Sequence, residues 1–221
     1  AQRTVLITGG DQRRLTESLL HRGESTAVLE ALLTAYRQGA TLVAVGGAAA
    51  AVCSRMIAEG TSREALRYGA SEDASYQGVV IEEGLGLFEL GIVDQNFLDR
   101  QRLGRLLVAC AEEGYRHGFG LCEESGMVLT GGGPIHAFGR YGFLVSALDP
   151  ARLNLAPTGF SAQGIHLQFV QPGEAFDPTT DCILDAGPTA PAASTVERLV
   201  AEMARACDSA LPAPQDAWLR M

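Results

Sequence analysis

The chain has 221 residues, 47% hydrophobic and 19% charged, a composition that builds a core and excludes a disordered or low-complexity polypeptide. Its formal net charge of −9, with no stripe of Lys and Arg, argues against a nucleic-acid partner, and no apolar run is long enough to cross a membrane. Five widely spaced cysteines (Cys53, Cys110, Cys122, Cys182, Cys207) fit neither a disulfide framework nor a zinc knuckle, so reduced thiols in a cytoplasmic protein are expected. No signal peptide is visible, although the chain begins at Ala1 without Met, which leaves a removed targeting segment open.

Residues 4–7 (Thr-Val-Leu-Ile) predict a buried strand ending in the turn Thr8-Gly9-Gly10-Asp11-Gln12. Residues 26–37 place Val28, Leu29, Leu32, Leu33 and Tyr36 on one helical face, and Gly39 stops that helix. Residues 41–45 form a continuous apolar strand, of the kind covered on both faces, which turns at Gly46-Gly47 into an Ala-rich helix predicted over 48–57. This rhythm predicts an α/β fold with a three-layer, doubly wound, mainly parallel sheet. A strand at 79–81 precedes a glycine-punctuated stretch at 84–91, and a helix over 98–113 buries Leu103, Leu106, Leu107 and Cys110. Short strands at 118–122, 126–130, 134–138, 142–147 and 165–170 make the C-terminal part β-rich. Domain 1–185 is followed by a linker at 186–193 and by an amphipathic helix and tail at 194–221. There Ser194 and Glu197 have capping-box spacing, and Val196, Leu199, Val200, Met203 and Cys207 share a face. That face packs either on its own domain or on a partner subunit.

A strand passing through a glycine turn into a helix is where α/β hydrolytic folds expose a nucleophile and aim backbone N–H groups at an oxyanion. Here the turn reads Val45-Gly46-Gly47-Ala48-Ala49-Ala50-Ala51-Val52 and contains no Ser, Thr or Cys. A second cluster, Asp94 to Arg105, carries Arg100, Arg102 and Arg105 at the start of a helix. The macrodipole is already positive there, so three cations suggest a bound anion. A solvated face with salt bridges to Asp94 and Asp99 is the equally weighted alternative. Ser161 reads as a loop serine, Gly84-Leu85-Gly86 lacks the third glycine of a dinucleotide fingerprint, and Gly131-Gly132-Gly133-Pro134 reads as a β-turn. His21, His117, His136 and His166 lack metal-ligand spacing, so neither metal nor cofactor is expected. Cys53 reads as a buried structural thiol, and Glu123 and Glu124 disfavour a thiolate at Cys122.

Taken together, these segments resemble the cyanophycinase family of serine exopeptidases, with its glutamine-amidotransferase-like fold, over roughly residues 4–178. Thr8 to Gln12 matches the family's TGGDQ turn, and Thr41 to Val52 is similar to its strand and nucleophile elbow. Gly84 to Leu87 with Asp94 to Phe97 looks like its GLGL…DQHF segment, and Arg100 to Arg105 matches the R-x-R-x-G-R run. Gly118 to Leu129 is similar to its GIGIDEDTAL pair, and Gln171 to Asp177 resembles its closing segment.

The resemblance implies hydrolysis of cyanophycin or related aspartyl peptides by a serine, a histidine base and an acid. It also implies ligand binding through Gln12, Asp94, Gln95, Arg100, Arg102 and Arg105. In this chain Gly47 falls at the serine, Asn96 at the histidine, and the acid falls near Arg63 with Glu64 adjacent. Neither glycine nor asparagine can do the chemistry of the residue it replaces. The family also carries strands ahead of TGGDQ, so part of the sheet is expected to be absent: supplied by a separate chain, replaced by a partner that covers the edge, or cut away. The expectation is a pseudoenzyme or non-catalytic subunit in a homo- or hetero-oligomer, holding an acidic or aspartyl peptide. Two rivals are a repurposed hydrolase or transferase with a nucleophile from elsewhere and a purely structural partner.

Overall fold

The computed structural model describes residues 4–21, 23–149, 153–156 and 159–185. The chain divides into a unit Ala1–Asp185 and a unit Ala186–Met221; the linker and C-terminal helix expected at 186–221 lie outside the described residues. The elements open with β1 (Thr4–Ile7), α1 (Gln12–Leu19), β2 (Leu20–His21), β3 (Glu24–Ser25), α2 (Ala27–Arg37) and β4 (Thr41–Ala44). They continue through α3 (Gly47–Ala51), β5 (Arg55–Glu59), α4 (Ser62–Tyr68), β6 (Ala70–Ser71), β7 (Val79–Glu83), β8 (Gly91–Asp94) and α5 (Leu103–Glu112). The rest is β9 (His117–Leu121), β10 (Ser125–Leu129), β11 (Ile135–Gly139), β12 (Phe143–Ala147), β13 (Leu153–Ala156), β14 (Gly159–Ala162), β15 (His166–Val170), β16 (Glu174–Asp177) and β17 (Cys182–Asp185).

Local chemistry sets most helix starts. The Asp11 carboxylate accepts from Arg13 N–H at the head of α1, Thr26 caps α2, and Thr61 with Glu64 closes a capping box on α4. The helix expected over 48–57 ends at Ala51 instead. Its last carbonyls are taken by the glycine-punctuated stretch: Leu85 N–H donates to Ala51 O, and Leu87 and Phe88 N–H both donate to Val52 O. With those acceptors used, Cys53 bridges to Phe88 and residues 55–59 pair with β7. The helix expected over 98–113 also starts later, at Leu103, because Asn96 and Gln101 adopt positive φ and fold the preceding residues into a turn. Gly131 and Gly132 both have positive φ between β10 and β11, the pattern of a tight hairpin turn, as expected.

The fold is mixed α/β, and the mainly parallel sheet is corrected. Parallel ladders join β1 to β4, β6 to β7 and β8 to β9, while most other described ladders are antiparallel. The central sheet has the order β15-β12-β9-β8. One face carries Ile92 and Leu144 against Leu106, Val108 and Cys110 of α5. The other face carries Val93, Phe119, Phe143 and Val145 against Ile135 and Ala137 of β11 and Phe176 of β16. A second sheet, β10-β11-β16-β17, therefore stands where a doubly wound fold places helices. The aromatic face of β9 and β12 explains the substitution, because each fully buried Phe contributes about 1.5–3 kcal/mol and a flat sheet covers the row. The Gly118-Phe119-Gly120 alternation follows from the same two faces. A β-carbon on Gly118 would lie 2.8 Å from Cys110 Sγ and Leu106 Cγ, and one on Gly120 would lie 2.3 Å from the Phe97 ring.

Candidate functional site

The elbow lies between β4 and α3, and α3 packs against β8. Gly46 holds φ +61° and ψ −126°, a conformation that is strained for any residue with a β-carbon. A nucleophile elbow places its nucleophile on such a strained strand-to-helix turn. The strained position is thus Gly46, one residue before the Gly47 marked by the resemblance. Space agrees with this placement. A β-carbon on Gly46 would meet nothing closer than Gly9 Cα at 3.5 Å, whereas one on Gly47 would lie 2.2 Å from the Gly10 carbonyl oxygen. Gln12 closes the same side: its Oε1 would be 3.2 Å from that carbon, and its Nε2 donates to the carbonyls of Ile57 (3.0 Å) and Ala58 (3.2 Å). The TGGDQ turn therefore forms a wall of the elbow.

The Asp94–Arg105 ion pair is internal. Asp94 is 1% exposed and Arg105 6%. Arg105 donates from Nε to Asp94 Oδ2 (2.7 Å), from Nη2 to Oδ1 (2.6 Å), and from Nη1 to Gly60 O (2.7 Å). Arg102 Nη1 donates to Asp94 Oδ1 (3.0 Å) and to Gln95 O (2.6 Å). Burial lowers the Arg102 guanidinium from its ordinary value, with Asp94 opposing the shift. Arg105 N–H donates to Ser62 Oγ, which in turn donates to Gln101 O, so one network ties β8, the head of α4 and the head of α5. The salt bridges to Asp94 expected on the second reading are present for Arg102 and Arg105, but on a buried or half-buried face rather than a solvated one. Arg100 differs, being exposed, and no side-chain hydrogen bond to it is found among the described residues. Gln95 Oε1 is buried and lacks a donor among them.

Asn96 follows β8 at φ +51°, a region that Asn tolerates better than most side chains. Its Nδ2 donates to Glu123 Oε1 at 2.7 Å, and Phe97 N–H donates to Leu121 O, fixing the turn to the end of β9. The carboxylate that meets Asn96 is thus Glu123, at the end of β9. Arg63 is exposed on α4, and Glu64 is committed to Thr61 N–H and Oγ1. Sequence reasoning did not single out the Asn96–Glu123 contact; the signal lay in the Gly118–Leu129 segment, which puts Glu123 and Glu124 just after β9.

The remaining candidates fall elsewhere. Cys53 is buried behind α3, accepts from Val93 N–H, and burial pushes its thiol up to about 12, despite that hydrogen bond. Cys53, Cys110, Cys122 and Cys182 are free, and burial also raises the Cys122 thiol, with Asp99 adding to the shift. His117 pairs with Asp181, remote in sequence from the elbow. Ser161, expected in a loop, lies on β14 opposite Asn154. Among the described residues no group of three or more His, Cys, Asp or Glu could hold a metal ion, and no helix is long and apolar enough to cross a membrane.

No family model matches the chain. It is similar to the cyanophycinases of Trichormus variabilis and Nostoc sp., 35% identical over 150 residues, which is 67% of this chain and 46% of each relative. It is also similar to the cyanophycinase of Synechococcus elongatus, 31% identical over 147 residues, 66% of this chain and 41% of the relative. The chain thus spans less than half the length of these curated relatives. The crystal structure of a peptidase from an acI-B1 Actinobacterium superposes with a TM-score of 0.52 at 16% identity, covering 79% of this chain and 59% of that one.

Proposed function

Because this chain belongs to the cyanophycinase family, we propose that it is a catalytically inert member that keeps the frame of the peptidase site and binds an aspartyl or other acidic peptide. One observation carries the reading: the strained elbow backbone is retained at Gly46 while the position offers no side chain. Without a hydroxyl or thiol there is no acyl-enzyme, and Asn96 cannot take up a proton as a histidine would. Asn96 spends its amide on the Glu123 carboxylate. Of the six residues assigned to ligand by resemblance, Asp94, Arg102 and Arg105 serve the scaffold first. Arg100 is the guanidinium left to meet a ligand carboxylate, and Gln95 Oε1 is an acceptor for a ligand N–H.

We also propose that the chain works with further polypeptide over β1 and β4. Every residue of these two strands is half-buried or exposed, whereas parallel sheets are normally covered on both faces. Val28, Tyr36 and Val45 nearby add exposed apolar surface. Native mass spectrometry of protein from its source tests the partner, and calorimetric titration with an aspartyl dipeptide tests the pocket. Absence of heat or displacement at millimolar dipeptide would favour a purely structural subunit.

A further inference from the structure

The last described hairpin is held in an unusual way. All four residues of β17 are exposed, and among the described residues β17 pairs only with β16. In turn β16 meets β11 at two register positions, Ile135 with Phe176 and His136 with Ala175. Backbone pairing alone therefore holds this hairpin weakly. Its turn carries Asp181 at φ +55°, in the left-handed region that Asp tolerates better than most residues. Three contacts tie it to the strands beside it. Asp181 Oδ1 lies 2.6 Å from Nε2 of buried His117, Oδ2 bonds the Arg116 guanidinium, and the Asp181 carbonyl accepts from Gln168 Nε2 at 2.9 Å. The His117 ring stands edge-on to Phe176 at 5.5 Å and beside Phe119, so the same imidazole touches the hairpin's apolar anchor.

We propose that Asp181 is a pH-sensitive latch that holds the β16–β17 hairpin against β9 and β15 and releases it in acid. The ionisable groups that face it are Arg116 and His117 at the start of β9. Gln168 of β15 is neutral, and Asp177 in the turn is occupied by Thr179 N–H and Thr180 Oγ1. Protonating Asp181 leaves the Arg116 guanidinium facing a neutral carboxyl, so the latch loses its charge attraction. Burial raises the Asp181 carboxyl, but the contacts from His117 and Arg116 outweigh it and hold the group below the usual carboxylate range. A carboxyl held low contributes stability above its ordinary value of about 4, and that contribution is lost as pH falls through the lowered value.

Hydrogen exchange followed by mass spectrometry tests the latch on the full chain. At neutral pH, Asp181→Asn should raise exchange over 174–185 by about tenfold, the scale of one charge-assisted hydrogen bond, with β8 and β12 unchanged. Arg116→Ala, at an exposed position, should give a smaller rise over the same residues. As pH falls below about 4, the wild-type hairpin should lose protection ahead of β12, and Asp181→Asn should lack that step. Unchanged protection of 174–185 in Asp181→Asn overturns the latch, as does a general loss that includes β12, or an acid step that survives the substitution.

Discussion

Asp94 and Asn96 are two residues apart and behave oppositely. Asp94 is buried, takes three hydrogen bonds from two guanidiniums, and joins β8 to the heads of α4 and α5. Asn96 lies at the rim, with one side-chain hydrogen bond to an exposed carboxylate. The elbow repeats the contrast within two glycines, since Gly47 is walled in by Gly10 and Gln12 while Gly46 faces open space. The groups that fix the frame of the site are thus distinct from those that would do its chemistry. On the inert-member proposal, the second set can be lost while the frame keeps its shape.

The largest expected effect lies on the buried side. Arg105→Ala leaves Asp94 charged, buried and short of its main partner, and should cost about 3–5 kcal/mol in denaturant unfolding; a loss under 1 kcal/mol would dissolve the distinction. Next comes Gly47→Ser, whose side chain displaces the Gly10 backbone at a cost of about 3 kcal/mol, the upper end for overpacking. Gly46→Ser meets only backbone strain and should cost about 1–2 kcal/mol in the same assay. The elbow pair sharpens the comparison further in activity-based labelling. Gly46→Ser with Asn96→His should react with a fluorophosphonate probe, while Gly47→Ser with Asn96→His should not. The smallest effect belongs to Arg100→Ala, which should shift stability by less than about 0.5 kcal/mol and yet weaken dipeptide affinity by about tenfold, as for one charged hydrogen bond. Equal affinity for variant and wild type would remove Arg100 from the ligand side.

Much of this was legible in the sequence, and the failures have physical causes. Strong local signals located β1, α2, β4 and α5, because their apolar patterns and caps are set by neighbours in the chain. The false extension of α3 to residue 57 arose because Ala-rich sequence reads as helix, and only the distant 84–88 stretch, by taking the last carbonyls, ends it. The covering of Phe119 and Phe143 by β11 and β16 is likewise a tertiary fact, so the strand expected over 134–138 was legible but not the face it covers. At the site, the absence of a nucleophile could be read directly from Val45 to Val52. Which glycine bears the strain depends on φ and ψ, and which acid meets Asn96 depends on the pairing of β8 with β9, neither of which spacing reveals. The arginines left two readings open because charge at a helix start suggests a ligand, while the counter-charge expected on the other reading, Asp94, lies buried on the preceding strand.

The most direct measurement incubates the isolated chain with an aspartyl dipeptide and quantifies the released amino acids by mass spectrometry, beside the Gly46→Ser/Asn96→His variant. The account predicts no product above the buffer blank from the unmodified chain and measurable product from the variant. Steady turnover by the unmodified chain, unaffected by Asn96→Ala, would contradict it and locate the chemistry outside the elbow.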